Sequence, residues 1–236
     1  MEQMQISPDI SSCSIVFLGK FNPAIFHPAW LHSKGIEVDE PELSDNIITS
    51  RDFTQFSIDS RIYRVQTDRF QVETPTAPWV RLVDIATRIF CEHLHHTPIF
   101  ALGINRDMHF RLPNASSRIR LGRKLAPIGP WGEYGKGMDA EDRVLTGGLQ
   151  TLTMRQKSRL ADGHMVQTNA TIEPSVRITD DSAVYVRVNS HHVFGNLPEG
   201  HGSEVAIDML AKRFDPAVKE AEAIINTIMQ AGTREA

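Results

Sequence analysis

Two groupings of asparagine and histidine carry the side chains best suited to chemistry. Ile104-Asn105 precedes His109-Phe110, and Val188-Asn189 precedes His191, His192 and Phe194. An asparagine just after a strand can take left-handed backbone and bond to nearby main chain. A histidine beside it can accept or donate a proton near neutral pH. Read together, Asn105, His109, Asn189, His191 and His192 form a polar cluster on one edge of the domain. Such a cluster could bind a ligand or a partner's backbone. An enzyme would need the five to converge on a common pocket. The plainer alternative is two similar turns in two similar halves.

Other candidate chemistry is weaker. The chain holds ten histidines, and Cys91, His93, His95 and His96 crowd the end of an amphipathic helix. A zinc site needs three or four ligands at orderly spacing. Here Thr97-Pro98 ends the helix beside His95 and His96, which reads as capping of the negative helix end. The run Gly129 to Lys136 looks like a phosphate loop, but its first and last glycines stand one residue too far apart, and Gly137 occupies the Ser/Thr place. There is no nucleophile elbow and no zinc-protease helix. Glu133, Asp139, Glu141 and Asp142 sit beside basic residues and read as surface charge. No catalytic residue, metal or cofactor is assigned.

Charge is segregated. Residues 106–159 hold eleven Lys or Arg against five acids, so that span is +6 while the whole chain is −4. Within it, Arg118, Arg120, Arg123 and Lys124 lie in a helical pattern. Arg155, Lys157 and Arg159 alternate, which puts all three on one face of a strand. Beside Trp131 and Tyr134 these seven could grip phosphates and stack bases, or meet an acidic partner. An acidic stretch, Glu37 to Asp45 with Pro41 inside, reads as a solvated loop.

The elements that must position these residues follow from hydrophobic period. Cys13 to Leu18 reads as a buried strand. Phe53 to Ile58, Ile62 to Val65 and Phe70 to Val72 read as a meander joined by Asp59-Ser60 and Thr67-Asp68. Trp79, Leu82, Val83, Ala86, Ile89, Phe90 and Leu94 recur at helical spacing. Ile99 to Ile104 reads as a central strand and Ser116 to Leu125 as a short helix. Leu149 to Leu160, Met165 to Ile172 and Val184 to Val188 give three more strands. Glu204 to Gln230 is helical, capped by Ser203 and broken or kinked at Asp215-Pro216.

The order of these elements predicts an α+β fold with a mostly antiparallel sheet and two long helices on one face. It divides into two similar βββα halves, about 1–126 and 144–236, joined by a glycine- and proline-rich loop over 127–143. One domain over 1–236 is expected. The 236 residues are 41% hydrophobic, enough for a core. Two cysteines, Cys13 and Cys91, make no disulfide framework and read as buried thiols in a reducing compartment. Met1 to Pro8 carries Glu2 and no basic cluster, so no secretory leader is expected. Runs such as Ile15 to Leu18 fall far short of the roughly 20 residues that span a bilayer. A cytoplasmic protein with no membrane contact is expected.

Asp68-Arg69-Phe70, then the helix bearing Trp79, then Ile104-Asn105 resemble a sporadically distributed family of bacterial proteins of unknown function. The likeness covers about half the chain and rests on the order of elements. It implies a bacterial or mobile-element source, no particular activity and no catalytic residue. The function expected is a non-enzymatic binding or scaffold protein in a bacterial multi-protein complex, with a protein partner or homo-oligomer. The alternatives are a nucleic-acid-binding protein using the basic residues, and an enzyme with an Asn/His site.

Overall fold

Residues that alternate between apolar and polar build one nine-stranded sheet in the computed structural model, which describes residues 7–37, 47–139, 147–195 and 200–233. Most of the acidic stretch (Asp39, Glu40, Glu42, Asp45) lies outside the described residues, as do Glu141, Asp142 and Arg143. The strands are β1 (Ile10–Gly19), β2 (Ile48–Thr49), β3 (Phe53–Ile58), β4 (Arg61–Gln66), β5 (Arg69–Thr74), β6 (Ile99–Arg111), β7 (Leu152–Arg159), β8 (Met165–Pro174) and β9 (Ala183–Val193). Their spatial order is β2-β3-β4-β5-β1-β6-β9-β8-β7, and every neighbouring pair is antiparallel. The fold is therefore α+β with a large antiparallel sheet.

The helices are α1 (Pro28–Ser33), α2 (Arg81–Thr87), α3 (Ala115–Leu125), α4 (Gly132–Gly137) and α5 (Glu204–Thr233). Helix α5 packs on β6 and β9, α3 on α5 and β9, and α2 on β1 and β5. The helix-facing side of the sheet carries Cys13, Ile15, Phe17, Phe70, Val72, Leu102, Ile104, Val184, Val186 and Val188, all buried. Phe90 is fully buried there, its ring 5.0–6.4 Å from those of Phe17, Phe21, Phe26 and Phe70.

Several expectations change. Cys91 is exposed, not buried. Among the described residues only α5 is long: the helix after Trp79 has seven α residues and then runs on as a π-helix over Arg88–His93, with Leu94 N–H reaching the Ile89 carbonyl at 2.8 Å. Five-residue spacing shifts the stripe there, yet Ile89 and Phe90 stay in the core. Pro216 does not break α5, which stays continuous for 30 residues because apolar side chains on both sides of the proline are buried. The described part of the 127–143 loop holds a 3₁₀ turn (Gly129–Trp131) and α4. Ser203 does not cap with its side chain. Its hydroxyl donates to the Phe90 carbonyl at 2.5 Å, pinning the start of α5 to the end of the π-helix. Glu37 is not solvated: it is buried against Arg61, which donates to both carboxylate oxygens at 2.8 Å, and it also accepts from the Tyr63 hydroxyl.

Candidate binding face

Strand alternation puts a second, polar set on the side of the sheet away from the helices. Asn105 and Asn189 lie there, but not at strand ends. Both sit in the middle of long strands, β6 and β9, and are direct cross-strand partners. The two sequence groupings thus meet. The Asn189 amide donates to Asn105 Oδ1 at 2.7 Å. The Asn105 amide donates on to Ser14 Oγ at 3.1 Å. On the other side, Asn169 donates to Asn189 Oδ1 at 3.4 Å, and Arg155 Nε donates to Asn169 Oδ1 at 3.1 Å. Ser14, Asn105, Asn189, Asn169 and Arg155 occupy one register row across β1, β6, β9, β8 and β7. Every donor in this row points the same way, from the edge guanidinium to the central serine, so each bond polarises the next. Gly103 makes room for it: a Cβ there would stand 3.1 Å from Asn189 Nδ2.

A second knot lies further along β6. Asp107 accepts from Arg187 Nε at 2.6 Å and from the Tyr185 hydroxyl. His109 stacks on Tyr185 with ring centres 4.6 Å apart, and its Nδ1 meets Ser175 Oγ at 2.8 Å. Burial and then the nearby Arg177 push the His109 pKa down, so the neutral ring is favoured. Ser175, His109 and Asp107 do not make a charge relay. The serine oxygen already accepts from the main-chain N–H groups of Arg177 and Ile178, and His109 offers the serine Nδ1, the nitrogen that a relay needs for its carboxylate. Burial and then Asp107 raise the Tyr185 hydroxyl's pKa, which keeps it a proton donor to that carboxylate.

Towards β4, Arg64 pairs with Glu73 at 2.9 Å and Arg69 donates to Gln71 at 2.9 Å. Burial, then the charges of Arg187 and Arg64, lower the Arg69 pKa. No helix packs on this side among the described residues. Asn105, Asp107 and His109 are nonetheless buried; Tyr185 and Arg187 bond to Asp107, and the Tyr185 ring lies against His109.

The remaining sequence candidates disperse. His191 is half-buried on the polar face beside Gly103. His109 stands four residues along β6 from Asn105, about 13 Å away at strand rise. His192 points the opposite way, into the helix side, where it is fully buried and its Nε2 meets Ser190 Oγ at 3.2 Å. The five residues therefore do not line one pocket. A cavity of about 110 Å³ lies between α3 and Gly147–Gln150, and another of about 240 Å³ beside Glu37 and Arg61; none of the five lines either. Among the described residues no three His, Cys, Asp or Glu converge as a metal-ligand set.

The seven basic candidates also separate. Arg155, Lys157 and Arg159 project from β7 on the polar face, all exposed. Arg118, Arg120, Arg123 and Lys124 lie on α3, which packs on the opposite side of the sheet. Arg123 is held by Asp139 at 2.5 Å and Lys124 donates to the Ala231 carbonyl at 3.0 Å. Trp131 and Tyr134 are exposed and next to each other, ring centres 6.2 Å apart.

Sequence reading missed Ser14, Asp107, Asn169, Tyr185 and Arg187. Their signal was present as polar residues at period two, in Asn105-x-Asp107-x-His109 and Tyr185-x-Arg187-x-Asn189-x-His191. Compared with known proteins, the chain matches no family model and no curated protein.

Proposed function

We propose that this chain is a binding or scaffold protein, not an enzyme, that acts within a bacterial multi-protein complex through the polar face of its sheet. The observation that carries this reading is the hydrogen-bonded row from Arg155 to Ser14, across five strands on a side that no described helix covers. A surface whose polar groups are already fixed by one another loses little side-chain freedom when a partner docks. Arg64, Arg69 and Arg187 on the same face favour an acidic partner. The spread of Asn105, His109, Asn189, His191 and His192 over two faces argues for recognition over catalysis. In this reading the frame is two similar βββα halves. The strand order supports it, with β5-β4-β3 running outward from β1 and β9-β8-β7 running outward from β6. Among the described residues no helix is long and apolar enough to cross a membrane, and the setting proposed is the cytoplasm.

Affinity capture from the native host tests the reading. Arg69 is exposed and the one described hydrogen bond of its side chain is to Gln71, so Arg69→Glu should leave the fold intact. A partner held by wild type and by a Lys219→Glu control on α5, but lost from Arg69→Glu, is the expected result. Equal retention by both variants removes the polar face as the working surface. Self-association is checked by size-exclusion at low and high salt: a homo-oligomer held by complementary charge shrinks in apparent mass as salt rises, and an unchanged monomer removes that part.

Nucleic acid is the second reading, carried by the exposed Arg155, Lys157 and Arg159. It requires affinity for single-stranded DNA or RNA that falls steeply with salt. Absence of binding at low salt ends it.

A further inference from the structure

We propose that strand β7 is a strand-addition site for an extended acidic segment of a protein partner, a deepening that rests on the binding reading above. β7 ends the sheet and is exposed on both faces over nearly its whole length. Which of its main-chain groups are unused follows from the turn that joins it to β8. Leu160 N–H bonds to the His164 carbonyl at 2.8 Å, and Gly163 N–H bonds back to Leu160 at 2.9 Å. In an antiparallel ladder bonded and non-bonded pairs alternate. With Ser158 opposite Val166 and Gln156 opposite Thr168, residues 152, 154, 156 and 158 spend their main-chain groups on β8. Thr153, Arg155, Lys157 and Arg159 therefore point their N–H and C=O groups outward from the edge.

Three of these four residues, Arg155, Lys157 and Arg159, also carry the positive charge on the polar face. A strand added here would lay alternate side chains beside Arg155, Lys157 and Arg159, and its other side chains beside Met154, which is 65% exposed on the opposite face. Acidic residues at every second position, with apolar ones between, match both sides. A second copy of β7 does not fit: antiparallel self-pairing would set the three cations of one strand against the three of the other, and like charges opposed across strands repel. Arg155 is also the first donor of the row that reaches Ser14, so an acidic residue beside it joins a surface already ordered.

The test uses the full chain and a labelled synthetic peptide in which Glu alternates with Val, with oligonucleotides of similar length in parallel. Fluorescence anisotropy should show binding to the peptide, with affinity at least tenfold weaker for a peptide N-methylated at the pairing positions, which keeps its charge but cannot donate. Lys157→Pro removes an outward N–H without touching the β7–β8 ladder, as proline is tolerated on an edge strand. It should weaken binding at least tenfold, and clearly more than Lys157→Thr, which loses only the charge; matching melting curves confirm that both variants are folded. Amide exchange should slow at Thr153, Arg155, Lys157 and Arg159 on peptide addition. Equal binding of the N-methylated peptide, unchanged exchange on β7, or a preference for oligonucleotide over peptide each overturns strand addition. If the peptide fails while a host partner remains sensitive to Arg69→Glu, strand addition falls and the polar-face reading stands. Loss of both results sinks both.

Discussion

At the scale of single residues, the centre of the polar face depends on amides that satisfy one another. Asn105 is buried, and its carbonyl accepts from Asn189. Removing Asn189 leaves that buried acceptor and the Asn169 donor without their partner. Because an unpaired buried polar group costs about 1–3 kcal/mol, Asn189→Ala should lower stability by that amount in urea unfolding. Restoration by Asn189→Asp is not expected, since a carboxylate cannot donate to Asn105 Oδ1. A near-neutral Asn189→Ala would mean that the row is incidental to the fold. Arg106 shows a different use of a buried polar group. It lies on the helix side between Ile104 and Met108, pairs with Glu222 at 3.0 Å and stacks 4.5 Å from the Trp79 ring centre. It thus stands between Ile104 of one apolar cluster of the core and Met108 of the other.

At the scale of elements, two predictions concern α5 and the β7–β8 turn. Pro216 lies inside α5 at an exposed position and removes the N–H that would reach the carbonyl of Lys212. A proline in a helix interior costs about 3 kcal/mol relative to alanine. Pro216→Ala should therefore raise stability by about 1–3 kcal/mol in denaturant melts; a loss would show that the proline ring contributes more to the fold than its missing hydrogen bond costs. The β7–β8 turn brings His164 onto His192, rings stacked at 5.4 Å, with a buried nitrogen on each that finds no hydrogen-bond partner among the described residues. Burial, then His164, Arg213 and His191, push the His192 pKa down from 6.5 to about 4, against a weaker upward pull from Asp162. Above 6.5 the ring is neutral in both folded and unfolded chains. Below it the unfolded chain takes up a proton that the folded one refuses, so stability falls as pH drops and the loss is complete by about pH 4. The shift corresponds to about 3 kcal/mol. His192→Gln should flatten the stability curve between pH 6.5 and 4 relative to wild type. Parallel curves would remove His192 as the source.

At the scale of the whole molecule, α5 links the two apolar clusters of the core. Its first half, through Leu210, Phe214 and Val218, belongs to the core cluster over β1 and β5, and its second half, through Ala221, Ile225 and Met229, to the cluster over β9. β6 crosses the same boundary, with Leu102 and Ile104 in one cluster and Met108 and Phe110 in the other. Both clusters therefore draw on the same helix and the same strand, which couples their unfolding. Tryptophan fluorescence and far-UV circular dichroism should therefore report one coincident unfolding transition. Two separated transitions would show that the two clusters unfold independently.

The sequence by itself determined the antiparallel α+β class, the β3–β5 meander and the three later strands, because the period of apolar residues is a local property that each segment carries alone. It also determined the shared strand face of Arg155, Lys157 and Arg159. It could not end β6 and β9 correctly: Asn105 and Asn189 look like turn residues, and only pairing with each other across the sheet makes them strand residues. Nor could it keep α5 whole through Pro216, since the burial that outweighs the missing hydrogen bond comes from strands remote in sequence. The register that aligns Ser14, Asn105, Asn189, Asn169 and Arg155 exists only after β1, β6, β9, β8 and β7 have assembled side by side. The polar face is a property of that assembly, because hydrogen bonds between side chains distant in sequence form only when tertiary structure brings them within reach.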